Sequence, residues 1–189
     1  MFSGRWAPAL PDALFASDGV MTKRPVRALT LSALAPRAGE LLWDLGAGSG
    51  SVSVEWCLAA PGARAQAVES RADRADLIRA NAAAFGLDHR LTLTQADWPS
   101  ALGDLPTPDA VFIGGGADLA RIETIFSLVP SGTRIVANAV TIDTEMALLA
   151  ARERFGGTLM RFDLAEAAPL GRMTGWLPAR PVVQWSVER

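Results

Sequence analysis

A glycine-rich stretch constrains the fold of this chain more than any other feature. The sequence WDLGAGSGSVSVE, residues 43–55, places three glycines between two apolar segments. The first segment predicts a strand from Glu40 to Leu45, and SVSVEWCLAA predicts a helix that ends before Pro61. Glycine permits positive φ and lets a ligand approach the backbone, and the free N–H groups at a helix N-terminus favour ligand oxygens. The stretch therefore predicts a ligand-binding strand–loop–helix unit.

Strands and helices alternate along the rest of the chain. Further strands are predicted in ARAQAVES, RLTLTQAD, PDAVFIGGG and TRIVANAV, with helices in RADRADLIRANAAAFG, DLARIETIFSLV and DTEMALLAARERFG. An earlier helix is expected near Thr22, with Thr22 or Lys23 as its cap and Pro25 in its first turn. This order is typical of an α/β fold with a parallel, Rossmann-like sheet.

The C-terminal region departs from the alternation. Two late strands are predicted in TLMRFDLAEA and PVVQWSVE, and the intervening APLGRMTGWLPAR is predicted to be a loop. No helix separates these strands, so the last one is expected to run antiparallel. The complete prediction is a mostly parallel seven-stranded sheet with an antiparallel last strand.

A chain of 189 residues is most simply one domain. The opening residues 1–17 contain Pro8 and Pro11 and are interpreted as an extended arm with one helical turn, or as the remnant of a linker. Residues 18–189 are predicted to form the domain itself.

Composition argues against several classes of function, although it does not exclude a local cluster of arginines. A net charge of −2 gives no long-range attraction to nucleic acid. No run approaches the ~18 apolar residues that span a membrane. The single cysteine, Cys57, excludes an internal disulfide and any all-cysteine metal site, and it favours a reduced, cytoplasmic setting. We therefore expect no nucleic-acid partner, no membrane partner and no metal.

An acidic residue accompanies the glycine loop at the spacing of a nucleoside site. Glu69 ends the second predicted strand, 19 residues after Gly50, where a carboxylate can accept both hydroxyls of a ribose. The dinucleotide fingerprint G-x-G-x-x-G is not met, because Ser51 occupies the sixth position. Asp44 would repel a pyrophosphate but would help to hold a cationic amino-acid group. The pattern favours S-adenosylmethionine over NAD.

The sequence resembles the class I S-adenosylmethionine-dependent methyltransferases, whose E/D-x-G-x-G-x-G motif is matched by DLGAGSG and whose ribose acid is matched by Glu69. In such enzymes an acid or amide after the third strand lies near the adenine, and QADWP occupies that place here. Whether Trp98 stacks on adenine or only packs stays open. The predicted cofactor-binding residues in these segments are Asp44, Gly46, Ala47, Gly48, Ser49, Gly50, Glu69, Ala96 and Asp97.

A narrower resemblance concerns DGVMTKRPVRA, LLWDLGAGSGSVSVE, AVES, IGGG, VANAV and GWLPARPVVQW, which cover most of the chain from Asp18 to Trp185. These segments are similar to the decarboxylating precorrin methyltransferases of cobalamin biosynthesis, both the CbiT type and the C-terminal half of CobL. The resemblance implies methylation of carbon 15 of a precorrin tetrapyrrole with loss of the carbon-12 acetate as carbon dioxide. It also implies that Thr22 lies against the cofactor, that the protein is a homotetramer, and that a separate or fused domain methylates carbon 5.

A polycarboxylate substrate needs cationic partners, and guanidinium groups suit carboxylates well. Glycines after the fourth strand would leave room for a flat substrate, although a flexible loop explains them equally. Lys23 is the only lysine among 18 basic residues, and a substrate or cofactor contact and a chance of composition are both open for it. The predicted substrate-binding residues are Lys23, Arg24, Arg27, Gly114, Gly115, Asn138, Arg172 and Arg180.

No residue is assigned as catalytic. The lone histidine, His89, lies in a predicted loop and is expected to be structural. Three alternatives are kept: an RNA or protein methyltransferase of the same fold, a non-catalytic protein that binds S-adenosylmethionine, and an NAD-dependent reductase.

Overall fold

The computed structural model describes residues 9–189 and contains one central sheet with helices on both faces. The part of the predicted arm in residues 1–8 lies outside the described residues. The helices are α1 (Arg24–Leu34), α2 (Ser51–Ala59), α3 (Ala72–Ala84), α4 (Trp98–Ala101), α5 (Leu119–Leu128) and α6 (Ile142–Phe155), with short 3₁₀ turns at Asp12–Leu14 and Leu102–Asp104.

The central sheet consists of the strands β1 (Leu41–Leu45), β2 (Arg64–Val68), β3 (Leu91–Thr94), β4 (Ala110–Ile113), β5 (Arg134–Ala139), β6 (Thr158–Phe162) and β9 (Val182–Glu188). These seven strands lie in the order β3-β2-β1-β4-β5-β9-β6. The first five strands pair in parallel, and β9 runs antiparallel between β5 and β6. The predicted seven-stranded α/β fold with an antiparallel last strand is confirmed.

Strand β1 shows why the sheet forms at its centre. All five of its residues are buried, as expected for a parallel strand covered on both faces. Leu42 belongs to an apolar cluster with α1, α2 and α3, whereas Trp43 and Leu45 belong to a second cluster with α5 and α6. Side chains alternate between the faces of a strand, so Asp44 points to the same face as Leu42, toward α2.

The segment predicted as a loop after β6 is a hairpin. Strands β7 (Ala165–Leu170) and β8 (Met173–Pro178) pair antiparallel in a separate two-stranded sheet. None of their residues is buried, so neither face of the hairpin needs to be apolar. The sequence therefore lacks the alternation of apolar and polar residues that predicts a strand. The loop assignment for this segment was wrong for that reason.

The described part of the N-terminal arm is anchored to the domain through a buried ion cluster. The fully buried Arg27 pairs with Glu55 (Nε to Oε1, 2.5 Å) and with Asp12 (Nη1 to Oδ1, 3.0 Å). Its Nη2 donates to the carbonyl of Leu10, and Glu55 accepts the N–H groups of Ala9 and Leu10. The division of the chain after residue 17 remains a prediction, but residues 9–12 contact α1 and α2.

Within residues 9–189, no helix combines the length and the apolar character that a membrane crossing requires.

Replacing Arg27 tests the ion cluster. The change Arg27→Ala leaves the Glu55 carboxylate buried without its cation, so we expect the free energy of unfolding to fall by about 3–5 kcal/mol. Chemical denaturation measures this directly. Arg37→Ala is the control, because the Arg37 side chain is 68% exposed and its distance of 4.0 Å from the Glu40 carboxylate makes a weak ion pair. Its loss should lower the free energy of unfolding by less than about 0.5 kcal/mol. Equal losses in the two variants would contradict the assigned role.

Candidate functional site

The carboxyl ends of the central parallel strands bring the predicted site together. The glycine loop, residues 46–50, follows β1, Glu69 follows β2, and a second glycine loop, residues 114–116, follows β4. Strands β2, β1 and β4 are neighbours, so these segments meet at one edge of the sheet. Open α/β sheets bind ligands in the crevice at this edge.

The two glycine loops touch through their backbones. A Cβ atom on Gly46 would lie 2.9 Å from the carbonyl oxygen of Gly115, and one on Gly114 would lie 2.9 Å from the carbonyl oxygen of Gly46. Neither position tolerates a side chain without a shift of backbone. By contrast, a Cβ on Gly115 would meet no atom within 4 Å. Gly114 is therefore explained by packing, and of the two glycines predicted to contact substrate, Gly115 is the one with open space beside it.

Glu69 holds the glycine loop in place. Its Oε2 accepts the N–H of Gly48 at 2.8 Å, and its Oε1 accepts the N–H of Arg71 at 3.0 Å. The residue is 5% exposed, and its backbone carbonyl accepts the N–H of Ala96. Two bonds leave carboxylate lone pairs free for further donors. Glu69 thus links the loop after β1 with the segment after β3.

Asp44 is buried on the same side of the sheet. Its Oδ2 accepts both the N–H (3.1 Å) and the hydroxyl (2.6 Å) of Ser53, which ties β1 to the first turn of α2. Its Oδ1 has no hydrogen-bond partner among the described residues. Burial raises the pKa of the Asp44 carboxyl from 3.8 to about 6, against the lowering effect of the Ser53 bonds, and the charge of Glu69 adds to the rise.

The site is therefore acidic and carries unused acceptors. The Ser49 hydroxyl is also buried, and it too lacks a hydrogen-bond partner among residues 9–189. The nearby carboxylates of Asp44 and Glu69 disfavour an anionic group such as a pyrophosphate. A ligand that combines a cation with hydroxyl groups complements this arrangement, because it would satisfy acceptors that the protein leaves free.

The segment after β3 borders the site but presents little to it. Asp97 is exposed and lies 3.7 Å from the guanidinium of Arg121. Trp98 is 4% exposed, packs among the apolar residues of the second cluster and donates its indole N–H to the carbonyl of Gly115 at 3.1 Å. This environment supports a packing role for Trp98, in which its indole braces the second glycine loop.

Helix α1 ends near the amino edge of the sheet, where β1 begins. Its start therefore lies at the opposite edge, beside the glycine loops. Lys23 occupies the N-cap position and Pro25 the first turn, as predicted. The exposed Lys23 ammonium is 3.3 Å from the carbonyl of Gly19, and the side chain of Arg24 is exposed without a hydrogen bond or ion pair in the described part of the chain. The carbonyl of Thr22 accepts a bond from Arg27.

Two of the predicted substrate contacts are occupied by the protein itself. Arg27 is fully buried and its donors serve Glu55, Asp12, Leu10 and Thr22, so its placement does not support a substrate contact. Its role as an anchor of the arm is the physical reason for this difference.

Asn138 likewise belongs to a polar network between β5, β9 and α1. Its amide donates to the Thr30 hydroxyl at 2.9 Å and accepts from Gln184 at 2.9 Å. A direct substrate contact would have to use the donor that remains on Asn138 or break this network.

The remaining predicted cations lie on the surface. Arg172 is in the turn between β7 and β8, and Arg180 is in the segment before β9. Both are exposed and have no ion pair within residues 9–189. Topology places the β7–β8 hairpin and the start of β9 at the edge that carries the glycine loops.

Sequence reasoning missed Ser53 and Asn81. Ser53 was hidden in an apolar helix, and its position nine residues after Asp44 has no recognisable motif. Asn81 lies on the buried stripe of α3 with Ile78 and Ala82. A polar side chain three residues after one core residue and directly before another was the available signal, because a buried amide needs partners.

The variant Asp44→Asn tests the electrostatics of the loop. A folded-state pKa raised from 3.8 to about 6 means that the Asp44 contribution to stability is greatest below pH 3.8 and is lost as pH rises through about 6. The advantage of Asp44→Asn over the wild type should therefore grow between pH 4 and pH 7, by up to about 3 kcal/mol. Denaturant unfolding at several pH values measures it.

Asp143→Asn removes one exposed negative charge from α6 and serves as the matched control. The same pH dependence in both variants, or none in Asp44→Asn, would contradict the assignment of a destabilised carboxylate to the loop.

Comparison with known proteins places the chain in one family. Residues 13–189 match the family model described as a precorrin methyltransferase domain. A precorrin-6Y C(5,15)-methyltransferase [decarboxylating] of Sinorhizobium sp is 54% identical over 176 residues, which are 93% of this chain and 42% of that protein. The chain thus spans less than half the length of this relative.

Shorter relatives are covered more fully. A protein of Saccharolobus solfataricus, named a probable cobalt-precorrin-6B C(15)-methyltransferase (decarboxylating), is 33% identical over 79% of this chain and 78% of its own length. The crystal structure of the C-terminal domain of precorrin-6Y C5,15-methyltransferase from Rhodobacter capsulatus is 55% identical and superposes with a TM-score of 0.92, over 96% of this chain and 98% of that one.

More distant structures share the fold alone, among them an S-adenosylmethionine-dependent O-methyltransferase of Thermotoga maritima at 16% identity and a TM-score of 0.68. The chain has the Rossmann-like fold of the class I S-adenosylmethionine-dependent methyltransferases, and it belongs to the precorrin methyltransferase domain family.

Proposed function

We propose that this chain transfers the methyl group of S-adenosylmethionine to carbon 15 of a precorrin and that the carbon-12 acetate is lost as carbon dioxide, as a step of cobalamin biosynthesis. The observation that carries the proposal is the pair of carboxylates at the glycine loop, one of them with a buried, unpartnered oxygen, in a chain of this family. Its relatives are named for this chemistry.

The residues of the loop fit the proposed cofactor. Glu69 keeps lone pairs for ribose hydroxyls, and a Cβ on Gly48 would come no closer than 4.0 Å to another segment, at the carbonyl oxygen of Val20. The unpartnered Oδ1 of Asp44 adds negative charge that favours a cationic amino-acid end. Bound there, S-adenosylmethionine supplies a methyl group activated by its sulfonium. Other residues in the proposed cofactor-binding set are Thr22, Gly46, Ala47, Ser49, Gly50, Ala96 and Asp97.

The protein's contribution to methyl transfer is proposed to be orientation and exclusion of water. A tetrapyrrole with acetate and propionate groups would meet exposed cations at the same edge of the sheet, namely Lys23, Arg24, Arg172 and Arg180. Three of these, Arg24, Arg172 and Arg180, have no ion pair in the described part of the chain, so they are available for carboxylates. The space beside Gly115 is the proposed position for the flat ring system.

Assembly is proposed to involve the β7–β8 hairpin. Leu170, Met173, Trp176 and Leu177 are between 64% and 77% exposed. A two-stranded hairpin is marginally stable alone in water, and a cluster of exposed large apolar side chains marks an interaction surface. We propose that a second copy of this chain covers it, within a homotetramer, and that a domain for carbon-5 methylation is fused or associated. The unpaired, buried Cys57 is compatible with the proposed cytoplasmic setting.

Mass spectrometry of a precorrin incubated with the chain and S-adenosylmethionine tests the activity. We expect the product to have gained a methyl group and lost carbon dioxide.

Glu69→Gln places an amide against two backbone N–H donors, so it should weaken S-adenosylmethionine binding by at least about tenfold, equivalent to ~1.4 kcal/mol, as measured by calorimetry. If S-adenosylmethionine binds but the precorrin neither gains a methyl group nor loses carbon dioxide, the chain is a non-catalytic binding protein. Methylation of RNA or protein, but not of the precorrin, would favour an RNA or protein methyltransferase.

The variant Trp176→Asp tests the assembly. This side chain is 77% exposed in the single chain, so its replacement should leave the fold of the subunit intact while removing an aromatic anchor from the interface. Sedimentation equilibrium should show a smaller species than the wild type. Leu128→Asp, at a 50% exposed apolar position on α5, is the control and should keep the wild-type mass. An unchanged mass for Trp176→Asp would exclude the hairpin from the interface.

A further inference from the structure

Residues 16–22, called the strap below, pass in front of the glycine loop. The nearest atom to a Cβ placed on Gly48 is the carbonyl oxygen of Val20, at 4.0 Å. The Val20 side chain is 61% exposed, so the strap is not part of the apolar core at this point. At Gly48 the strap is therefore the nearest segment outside the loop itself.

One buried side chain holds both the strap and the loop. The amide oxygen of Asn81 accepts the N–H of Ala16 at 2.8 Å. Its amide nitrogen donates to the carbonyl of Ala16 at 2.9 Å and to the carbonyl of Ser49 at 2.8 Å. Ser49 lies within the glycine loop, and Asn81 is only 1% exposed. A single planar group therefore fixes the distance between two backbone segments that are more than 30 residues apart.

Asparagine is chemically suited to this position. Its side chain offers an acceptor and two donors in one plane, and all three are used here. Alanine would leave the Ser49 carbonyl and both backbone groups of Ala16 without these partners. Aspartate would keep the acceptor for the Ala16 N–H but would set a carboxylate oxygen against two carbonyl oxygens.

Helix α3 provides a second attachment for the strap on the same helical face. Arg74, seven residues before Asn81, pairs with Asp18 (Nε to Oδ2, 2.9 Å). Asp18 also accepts the N–H of Val20 at 3.0 Å, and these bonds lower the pKa of its carboxyl. The Arg74–Asp18 pair touches the strap alone, whereas Asn81 touches the strap and the loop. The two attachments can thus be removed separately.

We propose that Asn81 is a positioning residue that couples the strap to the glycine loop, that the strap is the outer wall of the cofactor site, and that the arrangement seen here, with the strap held against the loop, is the closed one that S-adenosylmethionine stabilises. The inference rests on the proposed cofactor site. A ligand held between the loop and the strap favours the closed arrangement, and by linkage the closed arrangement favours the ligand. Asn81 transmits this coupling through the Ser49 carbonyl.

Hydrogen exchange and calorimetry with S-adenosylmethionine test the coupling. In the wild type, the ligand should slow amide exchange in both residues 16–22 and residues 47–50. Asn81→Ala should weaken binding by about 10- to 100-fold and abolish the protection of the strap, while some protection of the loop remains. Arg74→Ala should loosen the strap before ligand is added but keep its protection by ligand, with a loss of affinity below about fivefold.

A matched control separates positioning from a general loss of stability. Leu87→Ala removes a buried apolar side chain from the core just after α3. This side chain has no polar atom, so its loss breaks no hydrogen bond to the strap or to the loop. It should lower the melting temperature like Asn81→Ala but leave the affinity for S-adenosylmethionine unchanged. Asn81→Asp should bind more weakly than wild type, and the defect should shrink at low pH, where a protonated carboxyl can again donate.

Three results would overturn the proposal. The first is an affinity loss in Leu87→Ala equal to that in Asn81→Ala. The second is binding by the wild type without protection of the strap, which would leave the proposed cofactor site intact. The third is no binding by the wild type at all, which would remove the cofactor site and the coupling together. If Asn81→Ala does not fold, retained strap protection in Arg74→Ala supports the coupling, and its loss shows that the salt bridge, not Asn81, closes the strap.

Discussion

The contact between the two glycine loops is the constraint on which the rest of the site depends. Gly46 and Gly114 lie so close that a Cβ on either would be 2.9 Å from a backbone oxygen of the other loop. This packing fixes the loop after β1 against the loop after β4, in the centre of the sheet. With the loop in this position, the N–H of Gly48 donates to the Glu69 carboxylate that follows the neighbouring strand.

The site is built at a cost in stability that other parts of the fold offset. Asp44 is fully buried, its Oδ1 has no partner among the described residues, and no cation is paired with it there. Burying an ionised carboxylate in this way is unfavourable, as the rise of its pKa to about 6 reflects. Two apolar clusters, one on each face of the sheet, supply the compensating burial. Local rules of stability are broken most often where a protein binds or reacts.

The sequence was sufficient to predict the central sheet because burial leaves a strong pattern there. Continuous apolar strands, glycine loops and helical stretches alternate, and each carries its own signal. The β7–β8 hairpin left no such signal, because neither of its faces is buried in the chain and Pro169, Gly171 and Gly175 are typical of a loop. The two strands form because they pair with each other, and such pairing leaves no alternation of apolar and polar residues in the sequence.

Contacts between polar residues that are distant in the sequence were the second feature that could not be predicted from the sequence. Arg27 was expected to face a substrate, since a cation near a site resembles a binding residue whichever way it points. Its partner Glu55 lies 28 residues away on a helix whose other residues are largely apolar. Only the folded structure shows that both groups point inward and hold the arm. Glu69, by contrast, was predicted from its spacing to the loop, which is a property of the fold class, and the structure places its carboxylate beside Gly48.

Two buried polar side chains on neighbouring helices, neither of them predicted to have this role, have a common function in the structure. Glu55 on α2 accepts the N–H groups of Ala9 and Leu10, and Asn81 on α3 bonds to Ala16. Both helices therefore use a buried polar residue to satisfy the backbone of the N-terminal segment, which has no strand partner of its own. Residues 16–22 are attached to α3 through Asn81 and the Arg74–Asp18 pair rather than through a sheet, so they can move without disrupting the core. That property suits a wall that must open for a ligand and close over it.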